Sequence, residues 1–310
     1  MVYFKRTELI WIPPNLRLRQ LCHFSKKLYN EANYLIRQKL FNKGQWLRYN
    51  QYYHQVKHSA NYKQLPAQTG QQILRQLDRN WKAFFQAMKV WHEQPEKFHG
   101  QPRPPKYKRN EGEHLLLFTN QQVRLKNHGL YFPHKIGLQV KTRLGQNIPL
   151  REVRIIPKGV GYVVEIVYDK EITPLNIDKT HVAAIDFGLT NLVTMVNNIG
   201  LCPIVIKGGA VKSINQYYNK ERARLSRIYA RQVHRSQRRK KLMRLTNKRN
   251  CKLQDRFHKL SRIIIDYCIE HNVGSLVIGY NNGWKQHPTL SKRINQQFVT
   301  IPYHKLLHMI

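Results

Sequence analysis

The excess of positive charge constrains this chain more than any other feature. It carries 54 Lys and Arg against 17 Asp and Glu over 310 residues, a formal net charge of +37. A compact fold this basic repels itself unless a polyanion neutralises it. Nucleic acid fits best, because each neutralised phosphate releases a condensed counterion and favours binding. The alternatives are a merely soluble basic surface and attachment to a membrane surface. No apolar run reaches the roughly 18 residues of a spanning helix, and no lipid-anchor motif or signal-peptide pattern is present. No membrane partner is therefore expected, and the location expected is cytoplasmic, associated with the nucleoid. Hydrophobic residues make up 41%, enough for a packed core. Length alone suggests two domains. Cys22, Cys202, Cys251 and Cys268 form no C-x-x-C pair, so they read as thiols in a reducing compartment, and zinc is not expected.

Periodicity divides the chain. Residues 1–12 read as one strand, ended by Pro13-Pro14. Leu21, Phe24, Leu28, Ala32 and Leu35 then recur at helical spacing, as do Ile73, Leu74, Leu77, Trp81, Phe84, Phe85 and Met88. The aromatics of the second set read as core. PEKFHGQPRPPKYKR (95–109) has the composition of a basic, Pro-rich linker. Short strands follow at 115–118, 123–125, 130–132, 138–140, 153–157 and 160–168, the last two joined through Lys158-Gly159. They predict a small β-barrel that takes residues 1–12 as its missing strand, which makes the helical region an insertion. Beyond residue 180, VAAIDFG, LVTMVNN and CPIVIKG predict an antiparallel meander. A basic helical stretch covers 211–270, with a hairpin break expected near Asn247–Asn250, and SLVIGY (275–280) is a second buried strand.

Asp186 is the most informative single residue. A carboxylate closing an apolar strand, followed by Gly188 and a returning strand, is the first-strand pattern of ribonuclease-H-like nucleases. Phosphodiester hydrolysis in such sites uses two metal ions about 3.5–4 Å apart, and a carboxylate at a central strand end can bridge both. A turn-capping Asp is the bland alternative. The fifteen histidines are scattered, and no H-E-x-x-H, P-loop or nucleophile-elbow motif is present.

AIDFGLTNL (184–192) resembles the first RuvC-like motif of the TnpB (OrfB) family of insertion-sequence proteins. LYNEANYLIRQ (28–38) and QQILRQLDRNWKAFF (71–85) are similar to that family's recognition helices. PEKFHGQPRPPKYK (95–108) resembles its G-x-P-x-x-P-x-[YF]-K junction, and LVIGYNNGWKQ (276–286) with NQQFVTIP (295–302) resembles a subgroup regarded as transposases. The resemblance implies an α+β multidomain protein. A small β-barrel domain (1–15 and 110–175) holds an inserted helical recognition lobe (16–109). An incomplete ribonuclease-H-like, or RuvC-like, α/β domain follows (176–310), with a basic helical insertion at 211–270. It implies a guide RNA from the transposon end, a double-stranded DNA target and Mg²⁺ as cofactor, with Asp186 as catalytic residue and metal ligand.

The family's active site needs three carboxylates. The position of the second falls at Gly279, Tyr280 or Asn281, none of which supplies one. The third, with a four-Cys zinc element, belongs further downstream, so the resemblance implies a C-terminally truncated chain, weak metal binding and deficient cleavage. A truncated or decayed gene copy and a protein kept for guided binding both remain open, as does a non-guided nucleic-acid-binding protein or a transposase-type remnant without catalysis. A missing core element also predicts exposed apolar surface.

The candidate nucleic-acid-binding residues lie in three groups. Eighteen Lys or Arg and two acids fall between Lys212 and Arg262, densest at Arg231, Arg235, Arg238, Arg239, Lys240, Lys241 and Arg244. Leu225, Ile228, Leu242, Leu245, Leu253, Phe257, Leu260 and Ile264 supply an apolar stripe, leaving the charge on another face to touch phosphates without reading bases. In the second group, Arg103, Lys106, Tyr107 and Lys108 pair cations with a base-stacking aromatic. Arg37, Arg75, Arg79 and Lys82 on the early helices form the third.

Overall fold

The computed structural model describes residues 2–230, 235–281, 283–286 and 291–310, without the side chains of residues 2, 230 and 235–238. It divides into two compact units, Met1–Thr173 and Pro174–Ile310.

In the first unit β1 (Val2–Ile12) is followed by α1 (Leu16–Lys43), α2 (Tyr49–Val56), α3 (Ala60–Lys63) and α4 (Ala67–Glu93). Pro13-Pro14 cannot continue a ladder, and the Asn15 side chain caps α1 by accepting from the Leu18 amide. α1 stops at Gly44, whose φ of 65° suits a residue without a Cβ. Leu18, Leu21, Leu28, Ala32 and Ile36 of α1 and Ile73, Leu74, Leu77 and Trp81 of α4 are buried. Phe84 and Phe85 pack against the same core, so the aromatic stripe is a core stripe.

Strands β2 (Leu116–Thr119), β3 (Arg124–Lys126), β4 (Gly129–Tyr131), β5 (Gln139–Lys141), β6 (Leu150–Pro157) and β7 (Tyr162–Ile172) complete the unit. β1 pairs antiparallel with β7 along its whole length, from Val2 opposite Ile172 to Ile12 opposite Tyr162. The helices are thus inserted between an edge strand and the rest of its sheet. The expected closed barrel is absent among the described residues. β1, β7, β6 and β2 form one four-stranded sheet, and β3–β4–β5 form a separate one. Closure needs an unbroken ladder from first to last strand. β3, β4 and β5 are three residues each and bond only to one another, so the two sheets share a core without sharing an edge.

In the second unit β8 (Val182–Asp186), β9 (Asn191–Asn197) and β10 (Ile204–Lys207) form the expected antiparallel meander. β11 (Ser275–Ile278) joins the other side of β8 in parallel, giving the order β10-β9-β8-β11. A parallel neighbour requires a crossover, here α5 (Gly209–Ala230) and α6 (Arg235–Glu270). α7 (Lys292–Thr300) and α8 (Tyr303–Leu307) follow. One sheet face, with Ala183, Ile185, Val193 and Met195, packs on Leu253, Phe257 and Ile264 of α6 and on Tyr303 and Leu306 of α8. The other face carries a cross-strand row, Val277–Ala184–Val196. Val196, Val205 and Val277 are 47%, 50% and 58% exposed.

The hairpin break does not fall near Asn247–Asn250. α6 runs through that stretch unbroken, and α5 ends at Ala230. Asparagine costs a helix only a fraction of a kcal/mol. Here Arg249 offsets it by bonding Asn215 of α5 and the Thr300 carbonyl, while Tyr218 meets Thr246. Along the expected apolar stripe Ile228 is exposed and Tyr229 is buried in its place.

Candidate nucleic-acid interface and carboxylate site

Residues 103–110 form an ordered strap along α1, not a free linker. Lys26 Nζ donates to the Asn110 carbonyl at 2.6 Å, and Asn30 exchanges two 2.8 Å bonds with Lys108. Asn33 Nδ2 and Arg37 Nη1 both donate to the Pro105 carbonyl at 3.1 Å. Positions 26, 30, 33 and 37 share one helix face. Pro102, Pro104 and Pro105 have no amide hydrogen to satisfy, but their carbonyls still need donors. The α1 side chains supply them to Pro105 and its successors. Asn33 is fixed in turn by the Trp81 indole, which donates to it at 3.0 Å.

The strap brings part of the sequence-derived set together. The Arg37 guanidinium lies 5.1 Å from the Phe41 ring centroid and 5.3 Å from that of Tyr107. Arg103 and Lys106 are exposed on the strap. Lys108 points inward over the Tyr29 ring at 4.7 Å, and burial pulls its ammonium pKa down. Lys108 is thus a packing residue here. Arg75, Arg79 and Lys82 follow one another along exposed α4, but Lys82 is engaged by Asp78 at 2.8 Å and Arg75 lies over Tyr49. Phe41 was missed by sequence reasoning. Its signal is an aromatic four residues after an Arg on a face with no apolar neighbours to bury it.

In the second unit Arg239, Lys240, Lys241 and Arg244 are exposed on α6, with Lys241 over the Tyr229 ring. Arg231 lies outside the described residues, and the side chains of Arg235 and Arg238 do too. Glu221–Arg224, Asp255–Lys259 and Asp266–Arg262 are ion-paired. Arg222, Arg227, Lys248, Lys252 and Arg256 add exposed cations between those pairs.

Asp186 ends β8, between antiparallel β9 and parallel β11, and is exposed. Gly188 follows, and Tyr303 donates to its carbonyl at 3.0 Å. Burial, and then the nearby Asp186 carboxylate, push the Tyr303 phenol well above its ordinary pKa. Lys285 bonds the Ile301 carbonyl and lies 4.9 Å from the Tyr303 ring, fixing the turn after β11 to α8. Across from Asp186 stands Gly279, whose amide donates to the Ile185 carbonyl at 3.0 Å. A Cβ at Gly279 would stand 3.9 Å from Asp186 Oδ1. Among the described residues no three His, Cys, Asp or Glu side chains gather to hold a metal ion.

The OrfB_IS605 family model, described as a probable transposase, matches residues 165–285. Over these residues the chain is similar to the OrfB family. The OrfB segment runs from within β7 past β11, so it holds Asp186, the α5–α6 cations and Gly279. No curated protein matches the chain. Among solved structures, a chain of a Cas12f1–sgRNA–target DNA complex is similar at 10% identity and a TM-score of 0.46, over 99% of this chain and 86% of that one. A chain of a CRISPR–Cas12f ternary complex is similar at 11% identity and a TM-score of 0.36, over 94% and 68%.

Proposed function

We propose that this OrfB-like chain binds a guide RNA and a double-stranded DNA target, and that its nuclease-type centre does not cut DNA efficiently. The observation that carries the reading is Asp186 at the end of β8, with a glycine, Gly279, beside it just past the end of the neighbouring strand β11. The strand order β10-β9-β8-β11, three antiparallel and the fourth parallel, supports a ribonuclease-H-like, RuvC-like reading of the unit. Two-ion phosphodiester hydrolysis needs oxygen ligands on both sides of the metal pair. Mg²⁺ keeps most of its water, so one exposed carboxylate holds it weakly. The residues present therefore do not fit a two-ion centre. The exposed α6 cations support phosphate contact, without base readout, along a heteroduplex. A cytoplasmic, nucleoid-associated location fits the same reading.

The test is to purify the full chain and sequence the RNA that comes with it. One defined species supports guided binding; a heterogeneous mixture overturns it in favour of plain nucleic-acid binding. With that RNA, matching DNA and Mg²⁺, cleavage is expected at background level. Cleavage that is lost in Asp186→Ala would overturn the deficiency.

A further inference from the structure

We propose that the Phe41–Arg37–Tyr107 stack is a platform for the unpaired bases of a single-stranded nucleic acid; the inference rests on the nucleic-acid-binding reading above and assigns it a place and a mode. Phe41 and Tyr107 are 58% and 45% exposed, and Tyr34, two helical turns before Phe41, is 53% exposed. None of these rings belongs to the core, so packing does not account for them. Each nevertheless has a settled position. Tyr107 sits between Pro105 and Lys108, both bonded to α1, and Phe41 lies on α1 itself. Between the two rings Arg37 is tied down by the Pro105 carbonyl. A guanidinium on one side of a ring leaves the other side for a second π-system, and rings already fixed lose little entropy on binding.

The surroundings select the ligand. Besides the inward-turned Lys108, residues 34–43 and 101–110 contain six cations, Arg37, Lys39, Lys43, Arg103, Lys106 and Arg109, and no acid. Phosphates satisfy such a field, but phosphates alone give no role to exposed aromatic faces. Bases in a duplex are stacked on one another and hide their faces; those of a single strand are open. The ligand that uses both the cations and the rings is a single strand, with its backbone along the strap and its bases on Phe41 and Tyr107. An acidic protein segment would use the cations only.

The full chain is titrated by fluorescence anisotropy, at fixed salt, with a labelled oligo-dT strand, an oligo-rU strand, an abasic strand of equal phosphate number, a duplex and poly-glutamate. The expected result is affinity for a base-bearing strand roughly tenfold above the abasic strand, the scale of one stacked base. Phe41→Ala and Tyr107→Ala each reduce that ratio, the double variant brings it near one, and Tyr107→Trp keeps it. Circular dichroism checks that the variants fold. The dT and rU arms distinguish DNA from RNA. Equal affinity for base-bearing and abasic strands, a ratio that survives the double variant, or poly-glutamate binding as tight as the strand overturns the platform while phosphate binding stands. Failure to bind any strand or duplex removes the nucleic-acid reading itself.

Discussion

Gly279→Asp tests whether the Asp186 centre lacks only a partner carboxylate. A Cβ at position 279 would meet the Ile185 carbonyl at 3.7 Å and Asp186 Oδ1 at 3.9 Å, both ordinary approaches, so a Cβ is accommodated there without moving the strand. Two carboxylates about 4 Å apart repel by about 1 kcal/mol in water and by up to about 4 kcal/mol at an effective dielectric of 20. Asp186 is exposed, so the lower figure applies. A divalent cation relieves that repulsion. For a dissociation constant of about 1 mM, 10 mM Mg²⁺ stabilises the variant by about 1.4 kcal/mol, a rise on the order of 3–6 °C in unfolding midpoint. The assay is thermal unfolding with and without Mg²⁺ at matched ionic strength, which removes the general salt effect on a strongly cationic protein. The parent chain is expected to show no specific Mg²⁺ shift. The reasoning fails if folded Gly279→Asp is equally indifferent to Mg²⁺, or if the shift survives a second change, Asp186→Asn.

Four further outcomes are expected. Phe257→Ala removes a fully buried ring between α6 and the sheet and should cost about 3–5 kcal/mol in a denaturant titration. Asn33→Leu leaves the Trp81 indole without its acceptor and the Pro105 carbonyl with Arg37 as its one remaining donor, costing about 1–3 kcal/mol, and should speed tryptic cleavage at Arg103 and Lys106. His114 is buried, and burial, then Lys108, hold its pKa at about 3. Its folded pKa lies below its unfolded one, so its contribution is complete above pH 6.5 and declines as pH falls toward 3, by about 1.4 kcal/mol per unit; His114→Phe should flatten that part of the stability profile. Changing Lys240, Lys241 and Arg244 to Ala should lower the salt dependence of duplex binding by about 0.9 in slope for each phosphate left unneutralised; an unchanged slope would place the interface elsewhere.

Alternation and punctuation carried most of the strand inventory. Pro13-Pro14, Lys158-Gly159 and the runs VAAID and SLVI mark elements that exist where the pattern puts them, and the return of residues 2–12 to β7 follows from a strand left without a neighbour. Barrel closure was not legible, because it depends on whether strands as short as β3–β5 reach a second partner, a matter of three-dimensional geometry. The hairpin break was misplaced because asparagine is a weak breaker and the bonds of Arg249 are invisible until α5 and α6 are side by side. The strap reads as a linker by composition alone. Its order comes from Lys26, Asn30, Asn33 and Arg37, whose 4-3-4 spacing was present but had no assigned partner. The place of Asp186 at the end of β8 was legible because the apolar run before it breaks off there. The pairing of Arg37 with Phe41 was not, since an exposed ring on a helix is common.

The uncovered valines of the second unit bear on how the molecule behaves in bulk. Val196, Val205 and Val277 offer a greasy strip to any neighbour, yet two molecules at +37 each hold one another apart. Colloidal stability therefore depends on the charge, and a polyanion removes it. Titrating nucleic acid into the protein should bring turbidity near charge equivalence and clearing again in excess, with Val196→Ser/Val277→Ser flattening the turbid zone.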